Sequence, residues 1–160
     1  MIFDLRELKR SGKTTKTFYF EYEAEKGTVD IPLVEIVNPV KVTGEITLTG
    51  EDSACVKGEV AFFLKGCCTR CLEETEREYV CEFFEEVDGS GDAAYKLVND
   101  KVDVKKIADD TVIMNLPINF LCKEDCKGIC AGCGVNLITT NVNVNKGKVR
   151  YNGSTEKQNF

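Results

Sequence analysis

The sequence predicts an α+β fold that consists mostly of an antiparallel β meander or partly open barrel, with one short helix and a cysteine-rich C-terminal segment. Three observations predict it. Apolar and polar residues alternate through most of residues 1–87, the apolar spacing becomes helical after residue 103, and cysteines crowd residues 122–133. The 160 residues have the length of one ordinary domain, which we place at 1–145, followed by a polar mobile tail at 146–160.

The β-rich part contains four segments with strand character. β-Branched and aromatic residues dominate the first, and the other three alternate between apolar and polar side chains. This alternation is typical of an antiparallel sheet with one polar face. Asn38-Pro39 interrupts the pattern between the first and second segments. The predicted strands are 17–22, 40–49, 55–64 and 75–87.

A helix is predicted near residues 103–115. Its apolar residues Val104, Ile107 and Ala108 recur at helical spacing, Asp103 is suited to cap its first turn, and Pro117 follows its end. The Asp-Gly-Ser-Gly-Asp segment at 88–92, which precedes it, has the composition of a flexible loop.

Composition excludes several functional classes. The chain has no histidine, which excludes Cys–His and Ser–His nucleophile pairs, histidine bases and mixed Cys/His metal sites. It also lacks a P-loop and a GxGxxG motif, so we expect no enzyme activity and no small-molecule substrate. With 27 acidic and 21 basic residues, the net charge of −6 does not suit a protein that coats nucleic acid along its whole surface.

The sequence gives no sign of export or of a membrane span. The first residues, MIFDLR, carry charges from the fourth position and lack the apolar region of a signal peptide, and no run of 18 apolar residues occurs. We therefore expect a cytoplasmic protein with no membrane partner. In a reducing cytoplasm, closely spaced cysteines are metal ligands or redox groups more often than disulfides.

Three cysteine pairs have the spacing of metal ligands: Cys68/Cys71, Cys122/Cys126 and Cys130/Cys133. Zinc takes four such thiolates in a tetrahedron, and a site made of thiolates alone has no open position for catalysis. Any two pairs could complete one structural site. The second and third pairs are too close together to form two independent corners, so the first pair is expected to take part. Spacing alone favours Cys130/Cys133 as its partner, because Gly134 permits a tight turn.

The other three cysteines, Cys55, Cys67 and Cys81, are interpreted as strand or core thiols. Two further interpretations of the pairs remain open. One is an iron–sulfur site, because Cys126, Cys130 and Cys133 have the three-cysteine spacing of such clusters. The other is a thioredoxin-type redox dithiol, although the flanking residues are β-like and that motif needs a helix that starts at the first cysteine.

Charge is unevenly distributed along the chain. Residues 1–16 and 146–160 each have a net charge of +3, whereas residues 73–92 carry nine acids and one arginine. Such runs commonly form solvated faces and tails. Alternatively, the basic segments contact RNA and the acidic strand binds a basic protein.

Three segments together resemble the bacterial YceD family, the large ribosomal RNA subunit accumulation proteins. They are the C-x-R-C-L element at 68–72, Leu116-Pro117, and the D-C-K-G-x-C-x-x-C-G-x-N-L element at 125–137. The resemblance covers roughly residues 1–145. It implies a factor that supports synthesis or accumulation of large-subunit (23S-type) rRNA, and it implies no chemistry.

The resemblance also bears on the choice of metal ligands. Related sequences from Gram-positive-like members usually continue with a C-x-C pair, but residues 141–145 here are Asn-Val-Asn-Val-Asn. If that pair normally completes a site with Cys130 and Cys133, the intact zinc site is formed by the other four cysteines. The resemblance thus implies a zinc-knuckle-like segment at 122–137, with Cys130 and Cys133 as alternate ligands. The implied ligands are Cys68, Cys71, Cys122 and Cys126.

The implied partners are rRNA or a pre-ribosomal particle, or a basic ribosomal protein in place of RNA. Such a partner would meet basic side chains near the cysteines and in the N-terminal segment. The candidate contact residues are Arg70, Lys123, Lys127, Arg6, Lys9 and Arg10.

Overall fold

A computed structural model describes residues 1–89, 93–137, 144–145 and 148–149. The tail predicted at 146–160 and the centre of the loop predicted at 88–92 therefore lie largely outside the described residues. The elements in chain order are β1 (Ile2–Asp4), α1 (Arg6–Arg10), β2 (Thr15–Tyr22), β3 (Val34–Leu48), β4 (Ser53–Cys67), β5 (Glu74–Asp88), β6 (Tyr95–Lys96), β7 (Lys101–Asp103), α2 (Val104–Met114), β8 (Val144–Asn145) and β9 (Lys148–Val149).

An open five-stranded sheet dominates the structure, with strand order β2-β3-β4-β5-β6. Its first four strands are antiparallel neighbours along the chain, and only β6 is parallel to its neighbour. Two small sheets, β1-β7 and β8-β9, complete the described residues. The predicted fold class is confirmed in its coarse form, because the protein is mostly antiparallel β with open sheets and a short helix.

The prediction that Asn38-Pro39 separates two segments was wrong, because β3 runs through it. The pairing of β3 with β4 shifts between Val37 and Lys41, and Asn38 has a positive φ of 66°. Asparagine tolerates this conformation, and proline is accepted at a bulge because it has no N–H to donate to the ladder. The two residues thus form a β-bulge inside a 15-residue strand.

The N-terminal segment is packed against the fold, and the prediction of a single helix missed α1. β1 pairs with β7, and two leucines are buried, Leu5 just before α1 and Leu8 within it. Arg6 forms an ion pair with Asp4, and Lys9 forms one with Asp100. Two of the basic residues proposed to contact RNA are therefore engaged by carboxylates of the same chain.

The core lies between the inner face of the sheet and α2. Val56, Val60, Phe62 and Leu64 alternate along β4 and are fully buried, as the period of a strand requires. Helix α2 covers them with Ile107, Ala108 and Val112. Its first turn is capped by the Asp103 carboxylate, which accepts hydrogen bonds from the N–H groups of Lys105 and Lys106.

Two glycines face each other at the centre of the sheet and allow two aromatic rings to lie over the backbone. Gly44 of β3 pairs with Gly58 of β4. A Cβ atom on Gly44 would lie 2.7 Å from the Phe18 ring, and one on Gly58 would lie 2.9 Å from the Phe83 ring. Glycine is therefore required at both positions for this close approach.

After α2 the chain returns to the end of the sheet where β4 meets β5. Phe120 is fully buried, and its carbonyl accepts a hydrogen bond of 2.8 Å from the N–H of Thr69. This contact brings the second cysteine-rich segment to the first. Within the described residues, no helix is both long and apolar enough to cross a lipid bilayer.

Candidate metal centre

Cys68 and Cys71 lie in the tight turn that joins β4 to β5. The turn is closed by hydrogen bonds from the N–H of Cys68 to the carbonyl of Glu73 and from the N–H of Leu72 to the carbonyl of Cys68, both 2.9 Å long. Leu72 completes it with a positive φ of 61°. The pairing of the two 15-residue strands β4 and β5 thus ends in a turn, and both thiols lie on the same side of that turn.

Cys122 and Cys126 are brought to this turn by the segment that follows α2. Besides the Thr69 contact, the Arg77 guanidinium of β5 donates to the carbonyl of Leu121 at 3.4 Å. A local turn, closed by the N–H of Cys126 and the carbonyl of Lys123 at 3.1 Å, places the two cysteines on the same side. The second pair is therefore positioned by contacts with both β5 and the 68–73 turn.

The four sulfur atoms of Cys68, Cys71, Cys122 and Cys126 all lie within 4.8 Å of one another. We call this set the four-cysteine cluster. Cys68 lies 3.7 Å from Cys126 and Cys71 lies 3.6 Å from Cys122, measured between sulfurs. A tetrahedral zinc site with bonds of about 2.3 Å has sulfur–sulfur edges of about 3.8 Å. The cluster therefore has the donor atoms, the number and the spacing that a thiophilic metal ion requires.

Burial and hydrogen bonding shift the pKa values of three of these thiols in different directions. Burial raises the pKa of Cys68, but the N–H groups of Cys122, Arg70 and Cys71 point at its sulfur and outweigh burial, which brings the pKa to about 6. Burial raises the pKa of Cys71, and burial together with the neighbouring thiols raises the pKa of Cys122 to about 12. Closely packed thiols cannot all ionise without a compensating cation, because like charges repel. A divalent ion would supply that compensation.

Arg70 links the turn that carries Cys68 and Cys71 to the segment that carries Cys126. Its guanidinium donates a hydrogen bond of 2.9 Å to the carbonyl of Cys126. Gly128 packs on the same residue, since a Cβ atom there would lie 3.0 Å from the carbonyl oxygen of Arg70. Sequence reasoning assigned Arg70 to partner binding and missed this contact, although the position of Gly128 between two cysteine pairs was a signal that the backbone approaches closely.

A family model described as "Large ribosomal RNA subunit accumulation protein YceD" matches residues 56–153. The chain belongs to the YceD family. The matched region begins in β4 and contains the four-cysteine cluster together with Cys130 and Cys133, whereas β1, β2 and β3 lie outside it. The family identified from the cysteine motifs is thus confirmed over more than half of the chain.

Curated relatives of this YceD family member include mycobacterial proteins. An uncharacterized protein of Mycobacterium tuberculosis and one of Mycobacterium bovis are each 30% identical over 95 residues, which covers 54% of this chain and 46% of theirs. An uncharacterized protein of Mycobacterium leprae is 24% identical over 119 residues, covering 69% of this chain and 54% of its own. The chain spans about half the length of these relatives. No solved structure matches it.

The remaining CxxC pair of the family motif does not join the four-cysteine cluster. Cys130 and Cys133 lie in a separate turn whose strands are bridged at Ile129 and Asn136. The N–H groups of Gly132 and Cys133 and the thiol of Cys133 lower the pKa of Cys130. The three cysteines considered as ligands of an iron–sulfur cluster therefore do not form one group. Cys126 belongs to the four-cysteine cluster, and Cys130 and Cys133 do not.

The remaining candidate residues are placed as follows. Cys55 and Cys67 lie in β4 and Cys81 lies in β5, as expected for strand thiols. Lys123 and Lys127 are exposed beside the four-cysteine cluster, and Arg10 is exposed at the end of α1. Within the part of the chain that the structure describes, these three basic side chains form no ion pair.

Proposed function

We propose that this YceD family member is a non-catalytic, cytoplasmic factor that supports the accumulation of large-subunit rRNA, and that its four-cysteine cluster holds a structural zinc ion. Four buried or half-buried thiols that converge from segments about 50 residues apart favour this interpretation most strongly. The family description supplies the link to rRNA accumulation. The same proposal treats residues 1–145 as one domain.

Zinc is the metal that fits these residues best. Four thiolates without histidine or carboxylate are typical of structural zinc sites. All four positions of the tetrahedron are filled by the protein, which leaves none for a substrate or an activated water. The mutual distances of 3.6 and 3.7 Å are close to the sulfur–sulfur edges of such a site. A bound zinc ion would stabilise four thiolates at once.

Such an ion would act on the fold by joining two distant segments. It would tie the turn after β4 to the chain that follows α2, closing a long loop that contains β5 and α2. Because the ligands converge only in the folded chain, the free energy of metal binding would contribute to folding. The zinc-knuckle-like segment at 122–137 would then be held rigidly at one end of the sheet, where it can dock on a partner.

Among the predicted RNA-contact residues, those that already bond within this chain are less available to a partner. Arg6, Lys9 and Arg70 already bond to groups of this chain, whereas Lys123 and Lys127 remain exposed beside the four-cysteine cluster. We therefore assign the contact with rRNA phosphates, or with a pre-ribosomal particle, to the face around those two lysines.

A second candidate, an adaptor for a basic ribosomal protein, is favoured by the outer face of β5. Alternate residues of this strand point away from the core, and the acidic ones among them are exposed. They are Glu74, Glu76, Glu78, Glu82 and Glu86. A row of carboxylates on one face of a sheet attracts a basic partner and repels phosphate.

Deleting the gene in the source bacterium should lower the ratio of large-subunit to small-subunit rRNA, and the wild-type gene should restore it. A Cys68→Ser gene should fail to restore it, whereas the adjacent Cys67→Ser should succeed, because only Cys68 belongs to the four-cysteine cluster. An unchanged rRNA ratio after deletion, measured by electrophoresis of total RNA, would remove the proposed role.

The same complementation assay separates the two partners. Lys123→Ala/Lys127→Ala should fail if the cluster face meets rRNA. Glu76→Lys/Glu78→Lys/Glu82→Lys should fail if the outer face of β5 meets a basic protein. Both variants change exposed side chains only, so their melting temperatures should match the wild type and serve as the folding control.

A further inference from the structure

The proposed function leaves one cysteine pair unused. Cys130 and Cys133 lie at the tip of a short hairpin-like turn, in which the N–H of Leu137 donates to the carbonyl of Gly128 at 2.9 Å. Both cysteines are half-buried, and neither belongs to the four-cysteine cluster. The pair is therefore available for a chemistry of its own.

The backbone of this turn repeats that of the turn holding Cys68 and Cys71. In each turn the N–H of the first cysteine donates to the carbonyl five residues later, at 2.9 Å for Cys68 and 2.8 Å for Cys130. The carbonyl of the first cysteine accepts from the N–H four residues later, at 2.9 Å in both turns. The residue at that fourth position has a positive φ in both cases, 61° at Leu72 and 72° at Gly134.

The surroundings of the two leading sulfurs also correspond. N–H groups two and three residues later point at the sulfur of Cys68, and the equivalent N–H groups of Gly132 and Cys133 point at the sulfur of Cys130. Backbone donors aimed at a sulfur stabilise its thiolate form, which is the form that binds metal. The 130–133 turn is thus built as half of a thiolate site, like the 68–71 turn.

The described residues do not place a second pair of ligands beside this turn. Beyond Cys133 the sequence holds no cysteine, histidine or aspartate and only one glutamate, Glu156. Among the described residues, the four-cysteine cluster is the one group of three or more possible metal ligands. Among the described residues, then, nothing completes a tetrahedron around Cys130 and Cys133, and a second chain is a source of two further thiolates.

The tip of the turn is open to such an approach. Ala131, Gly132 and Gly134 are small and exposed, and a Cβ atom added to either glycine would meet no atom within 4 Å. None of these three residues carries a side chain larger than a methyl group. A second turn of the same shape can approach closely enough to share an ion.

We propose that Cys130 and Cys133 bind a zinc ion together with the same two cysteines of a second copy of this chain. A tetrahedron has two-fold axes that exchange its corners in pairs, so two identical turns related by such an axis supply four equivalent thiolates. The ion would lie on the axis and bridge the two chains. One zinc ion would then be shared by two chains, in addition to any ion held by each four-cysteine cluster.

Zinc titration followed by sedimentation and metal analysis tests this assignment. The wild-type chain should be monomeric with a chelator and dimeric with zinc, and it should hold one more zinc ion per two chains than Cys130→Ser/Cys133→Ser. That double variant should stay monomeric at every zinc concentration. The matched control Cys55→Ser/Cys67→Ser changes two half-buried thiols of β4 and should dimerise like the wild type.

Two outcomes would overturn the shared site. One is a wild-type chain that remains monomeric when saturated with zinc, and the other is a double variant that dimerises or loses no zinc. The result of this test does not depend on whether the four-cysteine cluster binds a metal ion. If that cluster holds no metal, the double variant contains no zinc, yet the wild type still binds one ion per two chains and dimerises.

Discussion

Replacing Cys68 with serine should release the metal of the four-cysteine cluster and lower the free energy of unfolding by more than about 3 kcal/mol, because the binding energy of a structural zinc ion is part of the folding energy. Cys68 is fully buried, and its sulfur lies 3.7 Å from that of Cys126. A serine hydroxyl is a poor zinc ligand, and it would leave three thiols without their cation. Urea denaturation of the zinc-loaded protein, followed by circular dichroism, measures the loss.

The matched control is Cys67→Ser, one residue earlier, at the last position of β4. Cys67 pairs with Glu74 at the end of β4 and is half-buried outside the cluster. We expect a change within about 0.5 kcal/mol and full zinc content, as is usual for substitutions away from a core or a metal site. Equal losses from the two variants would show that Cys68 acts as an ordinary buried thiol.

Replacing Phe62 with alanine should lower the free energy of unfolding by about 3–5 kcal/mol, the usual result of emptying an aromatic core position. Phe62 is 0% exposed at the centre of β4. Its ring stacks on that of Tyr79 in β5, with centroids 5.5 Å apart and ring planes at 15°. Because the neighbouring strands are long and tightly paired, they cannot collapse to fill the space.

Phe84→Ala is the control for this substitution. Phe84 lies in β5 on the outer face of the sheet and is 64% exposed, so its removal creates no cavity. Chemical denaturation should find that this variant loses about 1 kcal/mol or less, since the ring already lies mostly in water. Similar losses for the two phenylalanines would contradict the assignment of the inner face of β4 to the core.

The strands and the capped helix could be predicted from local patterns of apolar and polar residues. Alternation predicts β4 as 55–64, and the structure extends it to Ser53–Cys67 because its pairing with β5 continues to the turn. Asp103 and the apolar residues Val104 and Ile107 predict α2, and both its position and its cap agree with the structure. Local periodicity carries this information because each side chain faces either the core or water.

Other features depend on contacts between distant residues, which no local pattern contains. Helix α1 has five residues, which are too few to show a helical period of apolar residues. It is stabilised by the burial of Leu5 and Leu8, which is a tertiary contact. The bulge at Asn38 looks like a strand end in sequence, since proline and a left-handed asparagine also occur in turns.

The choice between cysteine pairs illustrates the same limit. Spacing favoured Cys130/Cys133 because of Gly134, but the Cys68 turn places Leu72 in the same left-handed conformation, so glycine does not distinguish a ligand pair. The sulfurs that the structure brings to Cys68 and Cys71 are those of Cys122 and Cys126, the set implied by the family resemblance. What selects them is the contact of Thr69 with Phe120, which is tertiary.

X-ray absorption at the zinc edge tests the shared coordination of the four-cysteine cluster most directly. The sample is zinc-loaded Cys130→Ser/Cys133→Ser protein, in which only this cluster keeps its thiols together. We expect one zinc ion per chain, surrounded by four sulfur atoms at about 2.3 Å. A spectrum with nitrogen or oxygen ligands, or with fewer than four sulfurs, would contradict the claim that one ion joins the Cys68/Cys71 turn to the Cys122/Cys126 segment. Failure of the purified protein to retain zinc would contradict it as well.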